Sequence, residues 1–152
     1  MSLLKTTAIL LLLVLSVFVA CKKDPDLALP SLSIADRSAL EGKINGSLSL
    51  KVTLSAASDR NVIVNFATQD STAKAGSDFI GIMDGELLFL AGETEKNILL
   101  QLNGDEVLEP DEKFVVLLLD PINATLARAR ANVTIRNDDI DNPFNINYLA
   151  VG

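Results

Sequence analysis

Carboxylates dominate what this chain could do chemically. Its 152 residues hold 20 Asp and Glu against 13 Lys and Arg, one cysteine and no histidine. Without histidine the commonest general base and the commonest transition-metal ligand are both missing, so a Ser-His-Asp or Cys-His site and a His-ligated zinc are excluded within the chain. A single cysteine allows neither an internal disulfide nor a thiolate cluster. A formal net charge of −7 disfavours nucleic acid as a partner, since phosphate binding needs a basic face. Aromatics are sparse and tryptophan is absent, which argues against a platform for stacking sugars.

Asp105-Glu106-Val107-Leu108-Glu109-Pro110-Asp111-Glu112 packs five carboxylates into eight residues. Asp and Asn favour turns for local reasons, but that accounts for scattered acids and not for this density. Crowded carboxylates raise one another's pKa, and a hard divalent cation removes the repulsion. Calcium takes six to eight oxygens from carboxylates, backbone carbonyls and water, and loops supply all three. Glu109 and Glu112 could also be read as the paired carboxylates of a glycosidase, but that chemistry needs a substrate cleft, for which a small β-sandwich has little room. The chain is therefore read as non-catalytic.

The elements that position these acids have a period of two. Ser47–Leu54 places Leu48, Leu50, Val52 and Leu54 on one face and Ser47, Ser49, Lys51 and Thr53 on the other. Asn61–Thr68, Gly85–Leu90, Lys96–Leu102 and Ala129–Arg136 read the same way, with a short run at Leu32–Ile34 before them. Lys113–Leu119 is apolar on both faces and reads as a central strand. Turn signals such as Ala75-Gly76, Ala91-Gly92 and Asp120-Pro121 separate the runs. No helical stripe is present. Seven short strands predict an all-β, immunoglobulin-like sandwich.

If successive strands alternate in direction, the loop charges can be assigned to two poles. One pole collects Asp36, Glu41, Asp70, Asp78, Asp84, Asp105, Glu106, Glu109, Asp111, Glu112, Asp138, Asp139 and Asp141 against Arg37, Lys43, Lys74, Lys113 and Arg136. The other collects Asp59, Glu93, Glu95 and Asp120 against Arg60, Lys96, Arg128 and Arg130, which cancel. The acidic excess is expected at a single tip.

The start of the chain is a separate object. Ala8–Ala20 reads AILLLLVLSVFVA, preceded by Lys5 as the only charge. That run is too short to cross about 30 Å of hydrocarbon and has the shape of a secretory signal peptide. Cys21 follows directly, and Phe18-Val19-Ala20-Cys21 resembles the lipobox of bacterial lipoproteins, with Phe18 where that family prefers leucine. The resemblance implies a signal peptide over 1–20, lipid on Cys21, and anchorage to the membrane of a bacterial cell envelope, at the outer membrane or cell surface. Losing Lys5 leaves 12 bases against 20 acids, a net −8. Residues 21–30, with Lys22, Lys23, Pro25 and Pro30, read as a charged tether.

Four segments carry a second resemblance. Thr68–Phe79 (TQDSTAKAGSDF) is similar to the T-x-D-G-T-A-x-x-G-x-D-[FY] segment of Calx-beta domains, and Gly85–Thr94 (GELLFLAGET) to their G-x-[LV]-x-F-x-x-G-E-[TS] segment. Asp105–Phe114 (DEVLEPDEKF) matches D-x-x-x-E-x-x-E-x-F, and Val133–Asp139 (VTIRNDD) resembles the closing V-x-I-x-D-D-D. The matches follow family order and place such a domain at 31–139, with 140–152 as a tail.

This resemblance implies a seven-stranded sandwich that holds calcium at one pole. Carried over by position, the candidate metal ligands are Glu41, Asp70, Asp105, Glu109, Glu112, Asp138 and Asp139. The chain departs from the acid-richest members at Gly104 and Asn137, where those members have acids, and at Ser71, which replaces a turn glycine. These departures imply fewer or weaker ions. The function expected is a lipid-anchored calcium-binding module in adhesion, interaction or assembly, meeting a surface protein or matrix component. The alternative is a calcium-free structural or interaction subunit of the envelope.

Overall fold

A computed structural model describes residues 28–140; the leader, Cys21, most of the tether, Asp141 and nearly all of the tail lie outside the described residues. Nine strand segments follow in order: β1 (Ser31–Ile34), β2 (Arg37–Leu40), β3 (Gly46–Leu54), β4 (Val62–Asp70), β5 (Gly85–Phe89), β6 (Glu95–Leu102), β7 (Glu112–Ile122), β8 (Thr125–Arg128) and β9 (Arg130–Arg136). They form two facing sheets, one ordered β6-β3-β1-β8 and the other β2-β9-β7-β4-β5. The fold is the all-β sandwich that the alternation predicts.

The inward faces are those set by the period of two. In β3, Leu48, Leu50, Val52 and Leu54 are buried while Ser47, Ser49 and Lys51 face water. Val62, Val64 and Phe66 of β4, Ile98, Leu100 and Leu102 of β6, and Val133 and Ile135 of β9 close the same core. Each such side chain contributes about 1.5–3 kcal/mol by leaving water. The strand predicted to be central is so: β7 lies between β9 and β4, and its outward-facing Val115 is covered as well.

All seven predicted runs are strands, but the first and last continue beyond the expected limits. The first strand breaks at Ala35-Asp36 and resumes as β2 in the opposite sheet, parallel to β9. The last is preceded by β8, which pairs in parallel with β1 before the chain crosses at Ala129 to β9. Asp36 stands at this double crossing. Its carboxylate pairs with the Arg128 guanidinium and accepts the Asn132 N–H at 2.8 Å, and the Asn132 N–H, followed by Arg128, holds its pKa below the usual carboxylate range. This corrects the charge assignment above: Asp36 is a clamp between sheets, not a member of the acidic tip, and Arg128 is its partner.

Candidate metal centre

The loops that carry the acids meet at one end of the sandwich. Hydrogen bonds between segments distant in sequence record the convergence. The Gly42 N–H donates to Asp138 Oδ1 at 2.9 Å, Asn103 N–H to the Asp78 carbonyl at 3.0 Å, and Asn137 Nδ2 to the Glu109 carbonyl at 2.7 Å. Lys43 reaches Glu106 across the same tip at 3.4 Å.

Asp78 is placed by a tight loop. Gly76 takes φ +99°, a conformation that glycine reaches without penalty. The Lys74 N–H donates to Asp78 Oδ2 at 2.6 Å, and the next residue, Phe79, is fully buried against the end of β6. Glu112 opens β7, two residues before the buried Phe114. Glu109 lies in the loop just before it. Ligand oxygens of Asp78, Glu109 and Glu112 all lie within 4.8 Å of one another. Calcium–oxygen distances of 2.3–2.6 Å allow two ligand oxygens to stand at most roughly 4.6–5.2 Å apart, so this spacing fits a single ion.

Glu41 lies beside this trio. It is 7% exposed, and it is the buried charged residue among those described. Burial first, then the charges of Asp105, Glu109, Asp139 and Asp78, push its pKa up to about 7. Glu112 is also raised, by burial, then by a hydrogen bond and charge repulsion from Asp78 and by Glu109, with Lys74 acting in the opposite sense. Asp139 donates its N–H to Asn137 Oδ1 at 2.6 Å and leaves Oδ2 buried with no hydrogen-bond partner. A buried, unpartnered carboxylate oxygen is costly. Anionic oxygens that are crowded, partly dehydrated and short of protein donors are the donor set a hard cation requires, so the residues fit calcium.

Of the seven sequence-derived ligands, Glu109 and Glu112 enter the compact trio. Asp105 and Asp139 are close enough to Glu41 for their charges to raise its pKa. Asp70 and Asp138 are exposed and each spends an oxygen bracing a loop, Asp70 on the Ala75 N–H at 3.0 Å and Asp138 on Gly42. Asp78 was counted at the tip but not among the ligands. The signal was present, since Asp78 is the penultimate residue of the first of the four family-like segments and adjoins an aromatic.

Gly104 has a geometric reason. A Cβ at this position would lie 2.1 Å from the Gly42 carbonyl oxygen and 2.6 Å from that of Ile44. The loop after β6 packs against the loop before β3 so closely that an aspartate cannot stand there without moving backbone.

The sequence profile described as "Calx-beta domain" matches residues 32–139. The chain belongs to the Calx-beta family. Human sodium/calcium exchanger 2 is 33% identical over 112 residues, covering 62% of this chain and 12% of the exchanger. Rat sodium/calcium exchanger 1 is 44% identical over 57 residues, 38% of this chain and 6% of the exchanger. The chain therefore spans a small part of the length of these relatives. Among solved structures, the apo-form Calx CBD1 domain superposes with a TM-score of 0.66 at 28% identity, covering 73% of this chain and 99% of that one. The calcium binding domain CBD12 of CALX1.1 gives 0.64 at 28% identity, covering 71% and 46%. This Calx-beta domain thus shares its sandwich with proteins named for calcium binding, and its carboxylate cluster lies at one end of that sandwich.

Proposed function

We propose that this Calx-beta domain binds calcium at the Asp78–Glu109–Glu112 cluster and works as a non-catalytic, lipid-anchored module of a bacterial cell envelope, in adhesion, interaction or assembly. The observation that carries the calcium reading is the trio of carboxylates within 4.8 Å, backed by a buried Glu41 that makes no salt bridge among the described residues. Asp105 and Asp139 complete the shell, with Asp70 and Asp138 holding its loops. The anchor rests on the Cys21 context in the sequence, and the partner is a surface protein or matrix component.

Calcium titration followed by thermal unfolding tests the site. An ion bound only to the folded state stabilises by RT ln(1 + [Ca]/Kd), about 2.7 kcal/mol at a hundredfold excess. A rise in melting temperature at millimolar calcium, with no equal rise from magnesium, is expected. An unchanged melting temperature would leave the second reading, a calcium-free structural sandwich, which Gly104 and Asn137 favour by removing two acids. For the anchor, Cys21→Ser should release the protein from membranes.

A further inference from the structure

The pole opposite the acids carries an apolar surface next to the point where the tether enters the fold. Four segments are tied together there. The Thr125 N–H donates to the Pro30 carbonyl at 2.9 Å, Asn123 Nδ2 to the Asn61 carbonyl at 2.8 Å, the Ala91 N–H to Asn61 Oδ1 at 3.1 Å and the Gly92 N–H to the Ser58 carbonyl at 2.9 Å. On the outer face of the larger sheet, Leu88, Ile63 and Ile122 stand in register across β5, β4 and β7 at this end. Leu90 follows Leu88 by two residues, Leu29 precedes β1 of the other sheet at the same end, and Leu29, Leu88, Leu90 and Ile122 are 41–54% exposed.

We propose that this surface rests on the lipid bilayer in which Cys21 is anchored, so that the acidic tip points away from the membrane. The inference depends on the anchor reading above. Three observations name lipid as the occupant. Nine residues, 22–30, separate Cys21 from β1, and a chain this short reaches at most about 35 Å, so this pole is held next to the surface. The charges assigned to this pole in the sequence cancel, and four of them are already paired in the fold, Glu93 with Lys96, Glu95 with Lys51 and Arg128 with Asp36, so no net field opposes approach. The exposed apolar side chains of the other pole, such as Val107 and Leu108, stand instead within the acidic run, whose carboxylates repel an anionic headgroup. Apolar side chains clustered at a protein surface mark contact sites, and at a bilayer they settle into the headgroup–acyl boundary.

The chain contains no tryptophan, so one introduced indole reports a single place. The full, acylated protein carrying Ile122→Trp, or Leu90→Trp as a second variant, is reconstituted in phosphatidylcholine vesicles, with Val107→Trp as the opposite-pole control. Replacing the vesicle lipid with its brominated form should remove about half the emission at 122 or 90 and leave 107 unchanged, with high salt making no difference. Equal emission in both lipids, while the protein still floats with vesicles and Cys21 carries acyl mass, overturns the docking and spares the anchor. Missing acyl mass removes the anchor and the docking together. Shielding of the indole that grows with protein concentration but is insensitive to bromine assigns the surface to a second copy and also overturns the proposal.

Discussion

Phe79 stacks on Phe114 with ring centroids 3.9 Å apart and planes inclined by 11°. Both rings are fully buried, and each carries a carboxylate close by in sequence: Asp78 precedes Phe79, and Glu112 stands two residues before Phe114. The stack joins the loop after β4 to the start of β7. It therefore fixes the spacing of two of the three clustered acids from inside the core.

Phe79→Ala should cost about 3–5 kcal/mol, as deletions of large buried aromatics do. For a domain of this size that lowers the melting temperature by more than about 10 °C. The telling comparison is Leu50→Ala, a buried position on β3. Both variants should lose stability, but only Phe79→Ala should also lose most of the calcium-induced rise. An equal calcium response in the two would separate the stack from the site.

Glu109→Gln and Glu112→Gln should each abolish the calcium-induced rise while leaving the unliganded melting temperature equal or higher, because each relieves like-charge repulsion. Asp59→Asn, at the opposite pole, should leave the rise intact. Isothermal titration of the same variants checks that the lost stabilisation is lost binding.

Lys74 lowers the pKa of Glu112 through its charge. Its ammonium, held by the Ser71 carbonyl at 2.7 Å, competes with a bound ion for the same anions. Lys74→Gln should tighten calcium severalfold in direct titration, whereas a looser Kd would show that Lys74 serves the loop rather than the charge balance.

Glu41 gives the calcium-free protein a pH dependence with a definite sign. Well below its ordinary value of 4.5, the carboxyl is protonated in both folded and unfolded chains. As pH rises towards about 7 the unfolded chain releases the proton while the folded protein keeps it, so stability falls, by about 3 kcal/mol in all. Melting temperatures taken across that window in chelator should decline, more steeply than in Glu41→Gln. Saturating calcium should flatten the decline by matching the charge.

Gly104→Asp adds the acid that the Calx-beta sequence pattern leads one to expect at this position, yet it should not strengthen the site. The new Cβ collides with the Gly42 and Ile44 carbonyls, and such overpacking costs about 1–3 kcal/mol. A lower melting temperature with unchanged or weaker calcium affinity is expected. Tighter binding would mean that the two loops separate freely.

Much of this was legible in the residues alone. Alternation in runs such as SLSLKVTL set the faces of β3, β4, β6 and β9, because a strand's side-chain period is two whatever it packs against. The apolar run in β7 marked the central strand, and the density of acids in 105–112 marked the tip. What the chain could not display was geometry between segments far apart. Sheet switching at Asp36 and Ala129 depends on parallel pairing of the first and last strands, and no local pattern encodes a partner about a hundred residues away. The choice of Asp78 over Asp70 for the compact trio turns on which side chain the Phe79–Phe114 stack aims inward. The meaning of Gly104 appears only when a second loop lies against it. Local periodicity is a property of the backbone and can be read in one dimension; coordination, crowding and burial are distances between loops, and only the folded chain sets them.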